Sequence, residues 1–212
     1  MSFTLWFMGR PASGKSTLAK GVETRLRERG FNIENLDGDK LRKNLHPDLG
    51  FSREDRATNN RRTAFICKLL NQNGISVVNA MITPFRDSQR EVRDIIEPES
   101  EFILIYVKRS LEEAKRRDPK GLYADAEAGK IDKFTGINHP FQEPHNPDII
   151  VDTESSPEAK AVRYVLESLD EKELLNEQPS TEYRFDITKH EENRIKDRLI
   201  SLGYLDDSSK SE

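Results

Sequence analysis

The chain has 212 residues, 34% of them hydrophobic and 34% charged, and a formal net charge of −4 at pH 7. That length suits one ordinary domain with a small appendage, large enough to bury a core without disulfide staples. The acidic balance supplies no global positive field for a nucleic-acid backbone, no apolar run approaches the ~18–20 residues of a membrane span, and a single cysteine, Cys67, excludes an intrachain disulfide. With no basic leader before the first strand-like segment, the sequence reads as a cytoplasmic protein with no nucleic-acid or membrane partner.

Phe3 to Met8 is apolar on both faces, as a central strand between helix layers should be, and it ends at Gly9. Leu18, Val22 and Leu26 recur at helical spacing, and Gly30 stands where that helix should stop. Ile33 to Leu36 reads as a second strand. Arg53 to Asn71 reads as a helix with Ala57, Ala64, Phe65, Ile66, Leu69 and Leu70 turned inward and Cys67 as a small buried hydrophobe, ended by Gly74. A third strand spans Ile75 to Ile82, and a helix runs from Ser88 to Ile96, closed by Pro98. Phe102 to Val107 is a fourth strand, and Ser110 with Glu113 predicts a capping box for the helix after it.

From Asp118 to Pro147 the periodicity breaks. Pro119, Gly121, Gly129, Gly136, Pro140, Pro144 and Pro147 punctuate a stretch too long for a plain connection, so residues 118–147 are expected to form a mobile lid. Asp148 to Val151 is a last short strand. Ser156 to Leu169 is a last core helix, with Pro157 near its start. Strands alternating with helices imply a three-layer α/β fold with a central five-stranded parallel sheet. The expected division is a domain over residues 1–175 and a short helical extension over 176–212. Glu177 to Glu182 is polar and contains Pro179, as a linker does, and Thr188 with Glu191 caps a helix to Leu202. Its Ile195, Leu199 and Leu202 form an apolar stripe that should dock on its own domain or on a second subunit, which makes a homodimer one of two arrangements.

Gly9-Arg10-Pro11-Ala12-Ser13-Gly14-Lys15-Ser16, followed by Thr17, fits G-x-x-x-x-G-K-[ST] between a strand and an amphipathic helix. Backbone N–H groups in such a loop turn inward around phosphate, and the helix N-terminus adds partial positive charge. Lys15 can reach the β and γ phosphates of ATP, and the Ser16 hydroxyl can join a Mg²⁺ shell. Asp37-Gly38-Asp39 sits at the end of the second strand, where an open α/β sheet faces its ligand crevice. Read alone, it is evenly divided between a metal and proton site and a turn that caps the next helix. His46, His139, His145 and His190 lack metal-ligand spacing and read as surface or loop residues.

Longer runs carry a resemblance. Leu36-Asp37-Gly38-Asp39 with Leu41-Arg42, Asp48 to Arg56 continuing through Asn59 to Arg61-Arg62, Arg117-Asp118-Pro119-Lys120-Gly121-Leu122-Tyr123, Phe134-Thr135-Gly136-Ile137 and Pro140 to Pro144 occur in order and at matching spacing. Over residues 1–175 or so the chain resembles the adenylylsulfate (APS) kinase family of P-loop kinases. The resemblance implies transfer of the γ-phosphoryl of ATP, with Mg²⁺, to the ribose 3′-hydroxyl of adenosine 5′-phosphosulfate, giving ADP and 3′-phosphoadenosine 5′-phosphosulfate. It implies Asp39 as the base toward that hydroxyl and Asp37 as support for the metal, through water. It implies Arg42, Arg56 and Asn59 on the phosphosulfate and ribose, Phe51 and Phe134 sandwiching the adenine, Ile82 along the substrate strand, Lys120 near the phosphates and Arg117 at the nucleotide. Of Arg61 and Arg62, one is expected to face the site and one solvent. A sister kinase for another nucleotide-linked anion, such as a nucleoside diphosphoramidate, and a non-catalytic nucleotide-binding regulator are the alternatives. Two departures stand out: Arg10-Pro11-Ala12 replaces the family's usual Leu-Ser-Gly, with Arg10 adding a charge near the phosphates, and Thr83 replaces a serine sometimes assigned as phosphorylated.

Overall fold

The structure, a computed structural model, describes residues 2–175 together with residues 193, 194, 196 and 198. The chain divides into two compact units, Met1–Pro179 and Ser180–Glu212. In the second unit, residues 193, 194, 196 and 198 are helical, while the expected cap at Thr188 and Glu191, the apolar stripe and His190 lie outside the described residues.

The first unit alternates strand and helix: β1 (Phe3–Met8), α1 (Lys15–Glu28), β2 (Ile33–Asp37), α2 (Gly38–Asn44), α3 (Arg53–Gln72), β3 (Ser76–Met81), α4 (Arg86–Ile96), β4 (Glu101–Lys108), α5 (Leu111–Arg117), α6 (Leu122–Glu127), β5 (Ile149–Asp152) and α7 (Glu158–Glu171). The five strands form one parallel sheet in the order β2-β3-β1-β4-β5. β1 is central and buried along its whole length. Its Phe3, Leu5 and Phe7 join a core with Leu18, Val22 and Leu26 of α1 and Val165 and Leu169 of α7. Its Trp6 and Met8 join a second core with Ala64 and Cys67 of α3 and Val92 and Ile96 of α4. These two cores are the physical meaning of the all-apolar strand: each face has its own helical layer. Cys67 is fully buried and its thiol is pushed far up by burial, so it packs as a small hydrophobe.

Polar bonds tie the amino ends of the sheet. Asn71 is buried, and its carboxamide donates to the carbonyls of Phe3 (3.2 Å) and Ile75 (2.9 Å) while accepting from Thr4 and Ser100, both at 2.7 Å. With its donors and acceptor used, the group costs no unmet polar burial. The carboxyl ends of the strands are left for the loops that carry chemistry.

Several expectations need correction. Phe65 and Leu69 of α3 are 55% and 44% exposed, because the helix turns Arg56, Asn59, Asn60 and Thr63 inward, and this polar stripe sets the buried face. Residues 118–147 hold α6, and their Tyr123, Ala126 and Phe134 form a small cluster with Ala114 of α5. The capping box at Ser110 is only half formed: its hydroxyl accepts from Glu113 N at 3.2 Å, but the Glu113 carboxylate turns to Arg116 and Arg117, and Ser110 N donates to Glu154 instead. A reciprocal box stands at α3, where Ser52 Oγ accepts from Asp55 N at 3.0 Å and Ser52 N donates to Asp55 Oδ2 at 3.1 Å. His46, read as a surface or loop residue, lies in the loop between α2 and α3 but is 2% exposed, and its Nδ1 lies 2.7 Å from Asn59 Oδ1.

The two caps give a test. Ser52→Ala removes a complete box from the long α3 and should lower stability by about 1–2 kcal/mol, whereas Ser110→Ala should cost about 0.5 kcal/mol. Urea unfolding of the two variants checks the order, and a larger loss at Ser110 would contradict this account of α3.

Candidate active site

The carboxyl ends of β1, β2, β3 and β4 open on one cavity of about 960 Å³. β1 delivers the Gly9–Ser16 loop, β2 delivers Asp37, β3 delivers Ile82 to Pro84, β4 delivers Arg109 and β5 ends beside Thr153. This is where an open parallel sheet places a ligand crevice. A Cβ at Gly9 would stand 2.5 Å from the carbonyl oxygen of Val107, so the loop can leave β1 this close to β4 only with glycine.

The loop is held from outside through its carbonyls. Arg10 O accepts from Lys15 Nζ (2.6 Å) and Ser13 N (3.2 Å), Pro11 O from the Tyr123 hydroxyl (2.9 Å), Ala12 O from Arg109 Nη1 (2.8 Å) and Ser13 O from Thr153 Oγ1 (2.8 Å). Gly14, at φ 93°, then opens α1, and its carbonyl accepts from Leu18 N. Ser16 and Thr17 are exposed on the first turn of α1 and line the cavity. Ala12 has φ 57°, a left-handed conformation that costs a non-glycine residue about 1–2 kcal/mol. Burial pushes the Lys15 ammonium down to about 7; Asp39 opposes that shift, while Lys120 and Arg109 add to it.

The sequence-expected residues divide by position. Lys15, Asp37, Asp39, Arg42, Phe51, Arg56, Asn59, Ile82, Arg117, Lys120 and Phe134 all line the cavity. Gly9, Arg10 and Ser13 do not. The Arg10 guanidinium lies 4.6 Å from the centre of the Phe141 ring and 3.9 Å from the Glu143 carboxylate, so its charge is turned toward the lid segment rather than toward the phosphate loop. Arg61 pairs with Glu91 at 2.6 Å and Arg62 pairs with Asp48 at 2.8 Å; both are exposed and neither lines the cavity, where one had been expected.

Asp37 Oδ1 accepts from the N–H groups of Asp39 and Lys40, both at 3.1 Å, and so caps α2 while facing the cavity. The capping reading of the Asp-Gly-Asp turn therefore holds for Asp37, and the same carboxylate lines the cavity. Asp39 Oδ2 is 2.8 Å from Lys120 Nζ, and this pair holds the Lys120 ammonium above its usual range. Arg42 donates to the carbonyls of Leu49 and Gly50 and lies 4.6 Å from the centre of the Phe51 ring. Arg56, 8% exposed, donates to Phe51 O and to Lys133 O of the lid; burial and the nearby Arg42 push it down to about 10. Thr83 is buried at φ 43°, and its hydroxyl accepts from Trp6 Nε1 at 2.8 Å, so this hydroxyl is committed to the core. Among the described residues no three His, Cys, Asp or Glu side chains gather as a metal cage, and no helix is long and apolar enough to cross a membrane.

Sequence reasoning passed over Arg109, Thr153 and the Tyr123 hydroxyl as contacts of the loop. Arg109 carried one signal, its place directly after the apolar run of β4, where strand ends supply site residues.

Comparison with known proteins agrees with this geometry. Residues 1–152 match the family described as adenylylsulphate kinase. The chain is 44% identical over 173 residues to the adenylyl-sulfate kinase of Halothermothrix orenii, covering 82% of this chain and 92% of that protein. It is 42% identical over 174 residues to the adenylyl-sulfate kinase of Staphylococcus carnosus, covering 82% and 87%. Among solved structures, the Mycobacterium tuberculosis APS kinase CysC in complex with AMPPNP and APS aligns with a TM-score of 0.77 at 39% identity, covering 80% of this chain and 98% of that one.

The two cavity phenylalanines are built differently, which makes them separable. Phe51 is 53% exposed and touched by two guanidinium groups, whereas Phe134 is 8% exposed and packs edge-on against Tyr123 with ring centres 4.9 Å apart. Phe134→Ala should destabilise the protein by about 3 kcal/mol, and Phe51→Ala by under about 1 kcal/mol. Chemical denaturation of both variants tests this; equal losses would mean that Phe51 is a core residue in solution.

Proposed function

The chain belongs to the adenylylsulphate kinase family, and from that premise we propose that it transfers the γ-phosphoryl group of ATP to the ribose 3′-hydroxyl of adenosine 5′-phosphosulfate, releasing ADP and 3′-phosphoadenosine 5′-phosphosulfate. The observation that carries the reading is the convergence, in one cavity, of a phosphate loop with Lys15 on one side and Asp39, Arg42, Phe51, Arg56 and Asn59 on the other. The first set suits a triphosphate; the second set offers a carboxylate, two guanidinium groups and an aromatic face to an anionic nucleotide. Nucleotide metabolism of this kind also fits a cytoplasmic setting.

The proposed roles follow from placement. Lys15 and the loop N–H groups bind the β and γ phosphates and stabilise charge that moves onto the leaving oxygen. Asp39 accepts the proton of the attacking hydroxyl. Lys120 pairs with that carboxylate; phosphates bound nearby would draw the ammonium away and leave Asp39 as a base. Arg42 and Arg56 hold the phosphosulfate. Phe51 and Phe134 cover the adenine, and Ile82 packs along it. Mg²⁺ suits the residues present, since it is usually held by one or two protein oxygens together with phosphate and water. Ser16 would supply a hydroxyl, and the free oxygen of Asp37 would act through water. When bound, the ion neutralises phosphate charge.

The decisive assay is ADP release from ATP with adenosine 5′-phosphosulfate as acceptor, against other adenylylated acids and cytidine diphosphate derivatives. Turnover confined to another acceptor would overturn the substrate assignment. In the same assay Asp39→Asn keeps the shape of the carboxylate but not its basicity, and should lower kcat by about 10²–10³ with ATP affinity nearly kept.

Proton linkage gives an independent test. Above pH 7 the free protein holds Lys15 largely neutral, while bound polyphosphate favours the ammonium. Binding of ATP should therefore take up close to one proton at pH 8 and little at pH 6, and affinity should fall as pH rises through about 7. Calorimetry in buffers of different ionisation enthalpy measures the uptake, with Lys15→Met as the control that lacks it. Equal uptake by both proteins would rule out Lys15 as the group that titrates.

A further inference from the structure

Arg109 stands one residue beyond β4, is 5% exposed and lines the cavity. Its Nη1 donates to Ala12 O at 2.8 Å and its Nη2 donates to Thr153 O at 2.6 Å. Among the described residues its Nε has no hydrogen-bond partner. The carboxylates of Glu113, Glu154 and Asp152 reach it only through space, and Arg117 opposes its charge. A buried guanidinium bonded to neutral oxygens alone carries charge that its surroundings do not cancel. Lys15 feels the same charge, so Arg109 disfavours the ammonium of Lys15 until a bound polyphosphate offsets it.

The position of the two acceptors matters as much as the charge. Ala12 holds the left-handed conformation of the loop without being glycine. Thr153 in turn donates to Ser13 O at 2.8 Å and to Lys108 O at 3.1 Å. One planar fork therefore spans the strained peptide of the loop and the end of β5, and the side chain of Thr153 closes the brace on the next loop residue. A fork of this kind fixes both distance and orientation, which a flexible ammonium does not.

We propose that Arg109 is a positioning residue for ATP: by holding the carbonyl of Ala12 outward, it keeps the phosphate loop in its binding conformation despite the side chain at residue 12. The proposal rests on the ATP-dependent reading above. It concerns the nucleotide half of the site only, so the acceptor half should not respond.

A double-mutant cycle tests it. Affinity for ATP and for its non-hydrolysable analogue is measured by calorimetry, together with KM for each substrate. Arg109→Met in the natural background should weaken nucleotide binding about tenfold, the loss expected for one charge-assisted hydrogen bond, and leave KM for the phosphosulfate within about twofold. In an Ala12→Gly background, where residue 12 adopts its conformation without strain, the same change should weaken binding about threefold or less, relative to that parent. Arg109→Lys keeps the charge but not the fork, and should fall between the natural protein and Arg109→Met; it also serves if the methionine variant does not fold. Unchanged nucleotide affinity in both Arg109 variants would overturn the proposal. So would an equal loss in the two backgrounds, since Arg109 would then act without Ala12, and so would an equal rise in both KM values. Failure of the natural protein to bind ATP at all would instead overturn the ATP reading itself.

Discussion

In a trans peptide the carbonyl of one residue and the N–H of the next point to opposite sides. A loop that must offer N–H groups to a phosphate therefore needs its carbonyls held on the far side. In this chain the carbonyls of Arg10, Pro11, Ala12 and Ser13 all accept hydrogen bonds, from Lys15 and Ser13, Tyr123, Arg109 and Thr153 respectively. The donors come from α1 and the loop itself, from the lid, from the end of β4 and from the end of β5. The anion site is thus assembled by the sheet and lid together, and the glycines only permit the path that these bonds select. The N–H groups of Ala12 and Gly14 follow as a consequence, on residues that line the cavity. A backbone set in advance loses little on ordering when a ligand arrives, which is the general basis of pre-organised electrostatic binding.

The same logic extends to residues 118–147, the segment read from the sequence as a lid. Tyr123 reaches Pro11 O, Lys120 reaches Asp39, Lys133 O accepts from Arg56, and Phe134 packs on Tyr123. Each contact joins a lid residue to another part of the cavity wall or to a second lid residue. Most are single polar bonds at the cavity rim, and the exposed pair of Lys120 and Asp39 contributes little to stability in water. Such contacts can exchange for contacts with ligand without breaking the main core, which lies on the two faces of the sheet. The cavity-lining side chains and residues 118–147 are therefore joined by contacts separate from the framework beneath them.

The framework was legible because its signals are local. β1 reads as buried on both faces from six consecutive residues, and it is; Leu18, Val22 and Leu26 mark the inner face of α1 without ambiguity. The α3 helix shows where locality fails. Its apolar residues Phe65 and Leu69 predict the wrong face, because the buried stripe of Arg56, Asn59 and Asn60 serves the cavity and could not be inferred from hydropathy. The cavity residues were legible through long motifs in fixed order. Arg109 and Thr153 were not, since each belongs to no motif and acquires its partner only when β4, β5 and the phosphate loop come together. Arg61 and Arg62 fail for a related reason: their partners Glu91 and Asp48 are 30 and 14 residues away, and no spacing rule connects them.

The unusual Arg10-Pro11-Ala12 run can be followed residue by residue. Arg10 puts a cation into the loop, but the side chain lies over Phe141 and beside Glu143, so the extra charge is compensated within the lid segment. Pro11 lacks an N–H, and that loss falls at the peptide whose carbonyl is already committed to Lys15; the carbonyl of Pro11 itself remains usable and binds Tyr123. Ala12 is the costly substitution, since a Cβ in the left-handed region is strained wherever it stands. Strain of this kind persists only where surrounding bonds hold it, and Ala12 is flanked by two such bonds, from Arg109 to its own carbonyl and from the Tyr123 hydroxyl to the carbonyl of Pro11. A loop with three substitutions therefore keeps one geometry because each change is met by a partner outside it. The phosphate loop of this chain is better described by the groups that surround it than by the glycines within it.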